Sequence, residues 1–436
     1  MTNMTNPRWI ALQVILQVVD VGRSLDEIFN SDWYRSLVLD KRDLALSREL
    51  VFGFCRWYFA LSALLSGRLQ KPLRARDRDI EVILILGLYQ LLVMSTEPHA
   101  AVNETVKLAL AQKKAWAKGL VNALLRGVVR DKIELDSNMS LNAYPDWVLA
   151  RIRRDWGEQA EQVLIQGNAR PPMTLRVDTR HAEIGAVINE LSAAGIDASR
   201  HVRIESALEL SSPCDVTQIP GFAQGVMSVQ DAAAQIAAPL LGCGSHARVL
   251  DACAAPGGKT AHLLQHYENI KLDALDSSES RMHRLHQNLR RIDKAARVLI
   301  GDAASPETWF DGNNYDCILV DVPCSASGVM RRHPDIKLLR RESDIMPLLA
   351  HQRKILDVLW RLLNPGGRML YCTCSIFKDE NENQISKFLE RHADCVEIEL
   401  NDVDWGELRP HGRQILTGSD NMDGFFYGLL TKSGGK

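Results

Sequence analysis

Apolar residues recur three and four positions apart through the first third of the chain: Ile10, Val14, Ile15 and Val18, then runs over 46–65 and 80–92, and, past a break at Pro98, a run over 102–111. That period belongs to amphipathic helices, so residues 1–140 are predicted to be all helix. The texture changes over 141–235. A helix-like span over 147–166 meets Pro171 and Pro172, which forbid its continuation. An extended run over 173–177 follows, then a helical pattern over 182–194 closed by Gly195, then extended runs near 208–210 and 226–229. This order predicts a small α/β module. From 236 to 436 short apolar runs alternate with helical ones. The extended candidates are 248–250, 272–275, 297–300, 317–320, 368–371 and 425–430, and a helix over 345–363 is closed by Asn364-Pro365-Gly366-Gly367. Such alternation predicts a mostly parallel sheet with helices on both faces and a ligand at the carboxyl ends of its strands.

Composition narrows the class. A chain of 436 residues is too long for one ordinary domain, and 46% hydrophobic with 24% charged residues is globular. The net charge of −2 hides a difference: residues 1–140 carry +4 and the remainder −6. No basic region precedes an apolar core in residues 1–10, so no secretory signal is expected. The most apolar stretch, 82–94, carries Gly87 and Gln90 and is too short to span a bilayer. Nine cysteines without a Cys-x-x-Cys pair do not make a disulfide framework in a chain this long. A monomer in the reducing cytoplasm, with free thiols and no membrane partner, is expected.

The candidate chemistry begins at Asp251–Thr260, DACAAPGGKT, after the apolar run Arg248-Val249-Leu250. Strand, tight loop and helix start are predicted, with Gly257 and Gly258 letting backbone N–H groups approach a ligand. A phosphate-binding P-loop would end in Gly258-Lys259-Thr260, but its first glycine position holds Cys253. The run Cys253-Ala254-Ala255-Pro256-Gly257-Gly258 does not fit the Gly-x-Gly-x-x-Gly of a nicotinamide site either. The third reading is S-adenosylmethionine (SAM), which has no phosphate to neutralise. Four acids, Asp251, Asp276, Asp302 and Asp321, end four successive predicted strands. Each alone reads as a cap or turn residue. In series after a glycine-rich loop they mark the sheet edge where a nucleoside lies, with Asp276 placed for a ribose and Asp302 for the adenine end.

Two stretches carry thiols to the same edge, Asp321-Val322-Pro323-Cys324-Ser325 and Tyr371-Cys372-Thr373-Cys374-Ser375. The remaining cysteines, Cys55, Cys214, Cys243, Cys317 and Cys395, read as small buried hydrophobes. A thiolate adding to C6 of cytosine turns the poorly nucleophilic C5 into an enamine-like centre able to take a methyl group. The thiolate needs an electropositive neighbourhood, to which Lys259 and a cationic cofactor are candidate contributors. Asp321 is placed to protonate or hydrogen-bond ring N3.

At these residues a resemblance is close. The DACAAPGGKT loop, Leu275-Asp276, Gly301-Asp302-Ala303, Asp321-Val322-Pro323-Cys324-Ser325-Ala326-Ser327-Gly328, Arg332-His333-Pro334-Asp335 and Thr373-Cys374-Ser375 resemble the RNA cytosine-C5 methyltransferases of the Nop2/Sun class. Leu86-Gly87-Leu88-Tyr89-Gln90, Pro98-His99-Ala100-Ala101-Val102-Asn103-Glu104 and Val121-Asn122-Ala123-Leu124-Leu125-Arg126 resemble the NusB family of RNA-binding helical domains. Together they resemble bacterial methyltransferases of small-subunit (16S) ribosomal RNA. The resemblance implies a multidomain protein: a NusB-like all-α domain over 1–140, a small α/β, RRM-like bridge over 141–235, and a Rossmann-like SAM-dependent methyltransferase domain over 236–436. It implies that Cys374 attacks C6, that Cys324 assists release, and that SAM is contacted by Cys253, Ala254, Ala255, Pro256, Gly257, Gly258, Lys259, Asp276, Asp302 and Asp321.

Other charges carry two readings each. Lys71, Arg74, Arg76 and Arg78, with Lys113, Lys114 and Lys118, make either a solvated face or a phosphate-neutralising one, and the NusB resemblance favours RNA. The stretch Arg331, Arg332, Lys337, Arg340 and Arg341 reads as an RNA rim beside the catalytic mouth or as surface charge around a helix start. Cys372 with Cys374 makes a zinc half-site only if a complementary pair exists, and none is evident, so no metal is expected. A rival from another class is a non-catalytic RNA-binding assembly factor with a vestigial SAM fold; loss of Cys374, Asp321 or the glycine loop would mark it, and all are intact.

Overall fold

Asn6 caps the first helix, Pro7–Leu16, by accepting hydrogen bonds from the N–H groups of Arg8 and Trp9, and Pro7 stands where a missing N–H is harmless. The computed structural model describes residues 6–135 and 137–434. They form two compact units, one running to residue 169 with 330–342 added, the other comprising 170–329 and the chain from 343 onward.

In the first unit the helices Lys41–Arg68, Arg78–Leu92, Pro98–Ala111 and Ala117–Arg130 close round Leu50, Phe54, Ile83, Leu86, Val121 and Leu125. The longest begins at Lys41, capped by Asp40, before its apolar run starts, because its first turn is polar and solvent-facing. That helix is long and apolar enough to cross a membrane by length and composition, but here Leu50, Val51, Phe54 and Leu61 pack into the helical core. Pro98 begins a helix as well as ending the preceding connection. The helical span expected over 147–166 is two helices, Asp146–Trp156 and Ala160–Asn168, separated at Gly157, whose φ of 48° no helix accommodates. Both belong to this unit, which runs to Ala169.

The basic stretch after Cys324 requires a correction. Arg331 and Lys337 are not a solvent-facing RNA rim; both are buried in the helical unit. Lys337 donates to the carbonyls of Arg56 and Ala143 and to Asn168 Oδ1, and its Nζ lies 3.7 Å from the centre of the Tyr144 ring. Arg56 in turn donates to the carbonyls of Ala169 and Arg331, and Asp335 accepts from the N–H of Leu25. A run of charges gives no hint that its tips find internal acceptors. Burial pushes the Lys337 ammonium well down from its ordinary range, and these acceptors hold it in place. Lys337→Ala strands them in a dry site and is expected to destabilise the helical unit by about 3 kcal/mol. The shift of its unfolding midpoint in urea measures this.

The second unit starts with a four-stranded antiparallel sheet of β1 (Met173–Val177), β2 (Ala198–Arg200), β3 (Ala207–Leu210) and β4 (Met227–Val229), in the order β2-β3-β1-β4, with the helix Ile184–Ala193 against it. The larger sheet follows. Its strands β5 (Arg248–Ala252), β6 (Lys271–Asp276), β7 (Arg297–Ile300), β8 (Tyr315–Asp321) and β9 (Leu363–Thr373) are parallel, in the order β7-β6-β5-β8-β9. Four antiparallel strands complete it: β10 (Cys395–Ile398), β11 (Glu407–Leu408), β12 (Arg413–Ile415) and β13 (Phe425–Lys432).

Alternate residues of the central strands point into different cores. Val249, Leu319 and Leu370 pack under Leu263 and Leu285 on one face; Leu250, Ile318 and Met369 pack under Ile355 and Phe388 on the other. Burial on both faces explains the continuous apolar runs in the sequence. Strand order reverses between β5 and β8, and the crevice at their carboxyl ends is where open α/β sheets receive ligands.

Candidate active site

The loop after β5 is held by the strand beside it. Ala254 N–H donates to Leu275 O, and Ala255 N–H to Asp276 Oδ2 at 3.0 Å. Thr260 Oγ1, one turn into the helix Gly258–His266, donates to Asp251 Oδ2 at 2.6 Å. Gly257 has a φ of 95°, and a Cβ there would lie 3.1 Å from Leu285 Cα, so both backbone conformation and close helix approach demand glycine. Gly258 has no such neighbour and begins the helix with its N–H groups unscreened.

A cleft lies beside this loop, lined by Cys253, Leu275, Asp276, Asp302, Pro323 and Ile355 among others. Asp276 Oδ1 accepts from Ser278 N–H and Arg281, and Oδ2 from Ala255 N–H, which leaves part of its acceptor capacity unused. Asp302 Oδ1 accepts from Ala304 N–H, a turn that fixes the carboxylate at the end of β7. Asp251 is buried, its Oδ1 has no hydrogen-bond partner among the described residues, and burial pushes its carboxyl up to about 7. Apolar walls with acids at the ends of three strands suit a nucleoside whose hydroxyls and amine donate. They do not suit a triphosphate, for which acids are the wrong sign. The residues present therefore fit SAM.

The two cysteine loops meet at the adjacent strand ends. Cys324 follows β8, Cys374 follows β9, and their Sγ atoms are 3.5 Å apart. Gly328 N–H donates to Cys374 O and Val322 N–H to Cys372 O, so the loops are joined by backbone on either side of the sulfurs. A Cβ on Gly328 would lie 2.1 Å from Gly424 O, so only glycine fits the turn that ends the first loop. Cys324 is buried and Cys374 is partly exposed. The Cys374 sulfur, and then burial, push the Cys324 thiol well above its usual range. Of the two sulfurs, the one a substrate can reach is that of Cys374.

Lys259 and Asp321 stand beside them. Lys259 Nζ lies 2.6 Å from Asp321 Oδ2 and 5.1 Å from the centre of the Phe425 ring. Burial works against its charge, but Asp321, with Cys372 and Cys374 behind it, outweighs burial and keeps the ammonium above its ordinary range. Cys372 donates to Asp321 Oδ1 at 3.5 Å; burial, then Asp321, push this thiol well up, so it stays protonated. Among the described residues no group of three His, Cys, Asp or Glu side chains is arranged to hold a metal.

One residue at this site was not singled out from the sequence. Glu380, five positions past Ser375 in a charged run, is buried, and its carboxylate accepts hydrogen bonds from both cysteine loops: Ser325 N–H at 2.8 Å and the hydroxyls of Ser325 and Ser375 at 2.5 Å each. Its only sequence signal is an acid close after Thr-Cys-Ser, which a solvated helix start equally explains.

Comparisons with known proteins agree along the chain. The NusB family matches residues 5–130, an RsmF/B-like methyltransferase ferredoxin-like domain matches 144–217, and the family 16S rRNA methyltransferase RsmB/F matches 238–431. Ribosomal RNA small subunit methyltransferase B of Vibrio cholerae is 41% identical, covering 98% of each chain. The protein of the same name from Pseudomonas syringae is 42% identical over 98% of this chain and 97% of its own. Among solved structures, PH0851 superposes with a TM-score of 0.79 at 25% identity, covering 97% of this chain and 98% of its own. NSun6 from Pyrococcus horikoshii, solved with SFG, shares the fold with a TM-score of 0.60 at 19% identity over 67% of this chain and 99% of its own.

Proposed function

The chain belongs to the ribosomal RNA small subunit methyltransferase B family, and on that premise we propose that it methylates C5 of a cytosine in small-subunit ribosomal RNA while Cys374 is bonded to C6. It is a SAM-dependent rRNA methyltransferase. The observation that carries the finer reading is the pair of sulfurs 3.5 Å apart at the ends of two adjacent parallel strands, beside the glycine loop.

The steps follow from the chain's own groups. Lys259 favours negative charge near it, so Cys374 attacks C6 as a thiolate and the C4–C5 bond becomes electron-rich. In its protonated form the Asp321 carboxyl donates a hydrogen bond to ring N3 as charge arrives there, and Lys259 holds that side chain in place. Bound SAM supplies the electrophilic methyl group that C5 takes up. The C5 proton is then taken up as the C5–C6 double bond re-forms, and the Cys374 sulfur departs with the S–C6 electron pair; Cys324 serves this release by giving its proton to the departing sulfur and accepting the one that C5 loses. The residues assigned to SAM are the loop from Cys253 to Lys259, with Asp276, Asp302 and Asp321. The target cytosine must be single-stranded or extruded, because stacking covers the ring face that Cys374 attacks.

The helical unit supports RNA binding. Lys114 Nζ lies within 3.0 Å of Asp77 and also pairs with Asp79, which draws the two basic groups of the sequence together around Trp116. Trp116 is 56% exposed, with Arg74, Arg76 and Lys118 exposed near it. An exposed indole among cations is a stacking platform for an unpaired base. Trp116→Ala is expected to weaken binding of single-stranded rRNA fragments about tenfold, and Arg76→Ala to flatten the salt dependence, both read by fluorescence titration at several salt concentrations.

The reading as a whole is tested by incubating the protein with SAM and small-subunit RNA and mapping bisulfite-resistant cytosines. One new resistant cytosine is expected. Methylation of another base or another atom would exclude the proposal.

A further inference from the structure

We propose that Glu380 is a positioning residue for methyl transfer: its buried carboxylate fastens the two cysteine loops to each other and thereby aims the Cys374 sulfur. The inference rests on the two-thiol reading above.

Ser325 and Ser375 are the residues immediately after Cys324 and Cys374, and Glu380 holds both. Oε1 accepts from Ser325 N–H at 2.8 Å and from Gln352 Nε2 at 3.0 Å; Oε2 accepts from the two serine hydroxyls. Gln352 Nε2 also reaches Pro323 O, on the other side of Cys324, at 3.0 Å. The serine hydroxyls lie 3.2 Å from each other, and Ser327 Oγ lies 3.0 Å from Ser375 Oγ. The glutamate itself is steadied by its backbone carbonyl, which accepts from Tyr371 OH at 2.6 Å. Glu380, Ser325 and Ser375 are all fully buried, so the cluster works from behind the sulfurs.

A carboxylate suits this place because both its oxygens accept. It gathers four donors from three elements without presenting a hydrogen of its own, and none of its side-chain partners among the described residues is a cation. Hydrogen bonds to a charged acceptor are short and strong, so the clamp resists separation of the loops. The Cys374 sulfur and burial, and after them Glu380, favour the protonated form of Cys324. One group therefore sets the spacing of the two sulfurs. A nucleophile misplaced by about 1 Å loses on the order of 10²-fold in rate, so the clamp is felt in the chemical step.

Two variants separate this role from a purely structural one. Glu380→Gln keeps the length and shape of the side chain, and its amide can donate to the serine hydroxyls once they rotate. Glu380→Ala removes the clamp. We expect kcat to fall about tenfold in Glu380→Gln and about 10²-fold in Glu380→Ala, with KM for RNA and the dissociation constant for SAM unchanged in both. The same variants placed in a Cys324→Ala protein should slow formation of the covalent RNA adduct by the same factors. If Cys324→Ala alone forms no adduct, the two-thiol reading fails, and this inference with it. If the adduct forms at an undiminished rate in Cys324→Ala/Glu380→Gln and Cys324→Ala/Glu380→Ala, Glu380 is not a positioning residue. A loss of SAM affinity or of thermal midpoint in Glu380→Gln that accounts for the fall in rate would likewise overturn it. Where Glu380→Ala does not fold, the Gln variant decides.

Discussion

Cys374→Ala is expected to abolish methyl transfer and to leave no covalent link to RNA. The argument starts from the substrate. C5 of cytosine does not take a methyl group from a sulfonium unaided, and addition of a nucleophile at C6 makes C5 electron-rich. Of the two sulfurs at the site, Cys374 is the partly exposed one, while Cys324 is buried and holds its proton. Losing a covalent nucleophile costs at least about four orders of magnitude in rate, because the rest of the site has no substitute for the bond. Binding of SAM and of RNA should survive, since the sulfur is needed for the covalent step and not for holding either ligand. Methyl incorporation from labelled SAM, measured with equilibrium binding of both ligands, checks the split.

Cys324→Ala should behave differently. Attack and methyl transfer proceed, but release is crippled, and protein–RNA adduct accumulates to nearly one per active site while multiple turnover falls by about 10³-fold or more. The adduct should survive denaturation and run as a shifted band on a denaturing gel, and it should require SAM and RNA together for its methylated form. The contrast between the variants is the informative part. Two cysteines 3.5 Å apart with the same role would give the same phenotype, whereas opposed roles give one variant without adduct and one trapped in it.

Much of this architecture is legible in the sequence. β5, β6 and β8 each combine an apolar run with an acid at or next to its end, and a strand buried on both faces has no choice but to be continuously apolar. Such signals are local, and they place Asp251, Asp276 and Asp321 on one edge. The apolar pattern does not mark the strands β10, β11 and β12. They are short and antiparallel, and Arg413 in β12 is a charged residue satisfied internally by the carbonyls of Leu400, Trp405 and Gly406. The same blindness affected Lys337, whose three acceptors come from Arg56, Ala143 and Asn168. Sequence shows which residues carry charge but not which distant carbonyls will meet it. Cys324 and Cys374 are 50 positions apart, and their meeting depends on β8 and β9 being neighbours, a fact of topology that spacing alone does not contain. Glu380 is the clearest instance: beside Asp379 and Glu382 it looks like one more solvated acid, and only the fold turns it inward onto two serines.

The central claim is that one sulfur bonds to the RNA base while the other sets it free. The most direct measurement is mass spectrometry of the adduct trapped by Cys324→Ala, digested with nuclease and protease, to find which peptide carries the nucleotide. The account predicts a methylated cytidine attached to Cys374. A nucleotide on any other residue, or an adduct that forms only when Cys374 is replaced and Cys324 is kept, would contradict it.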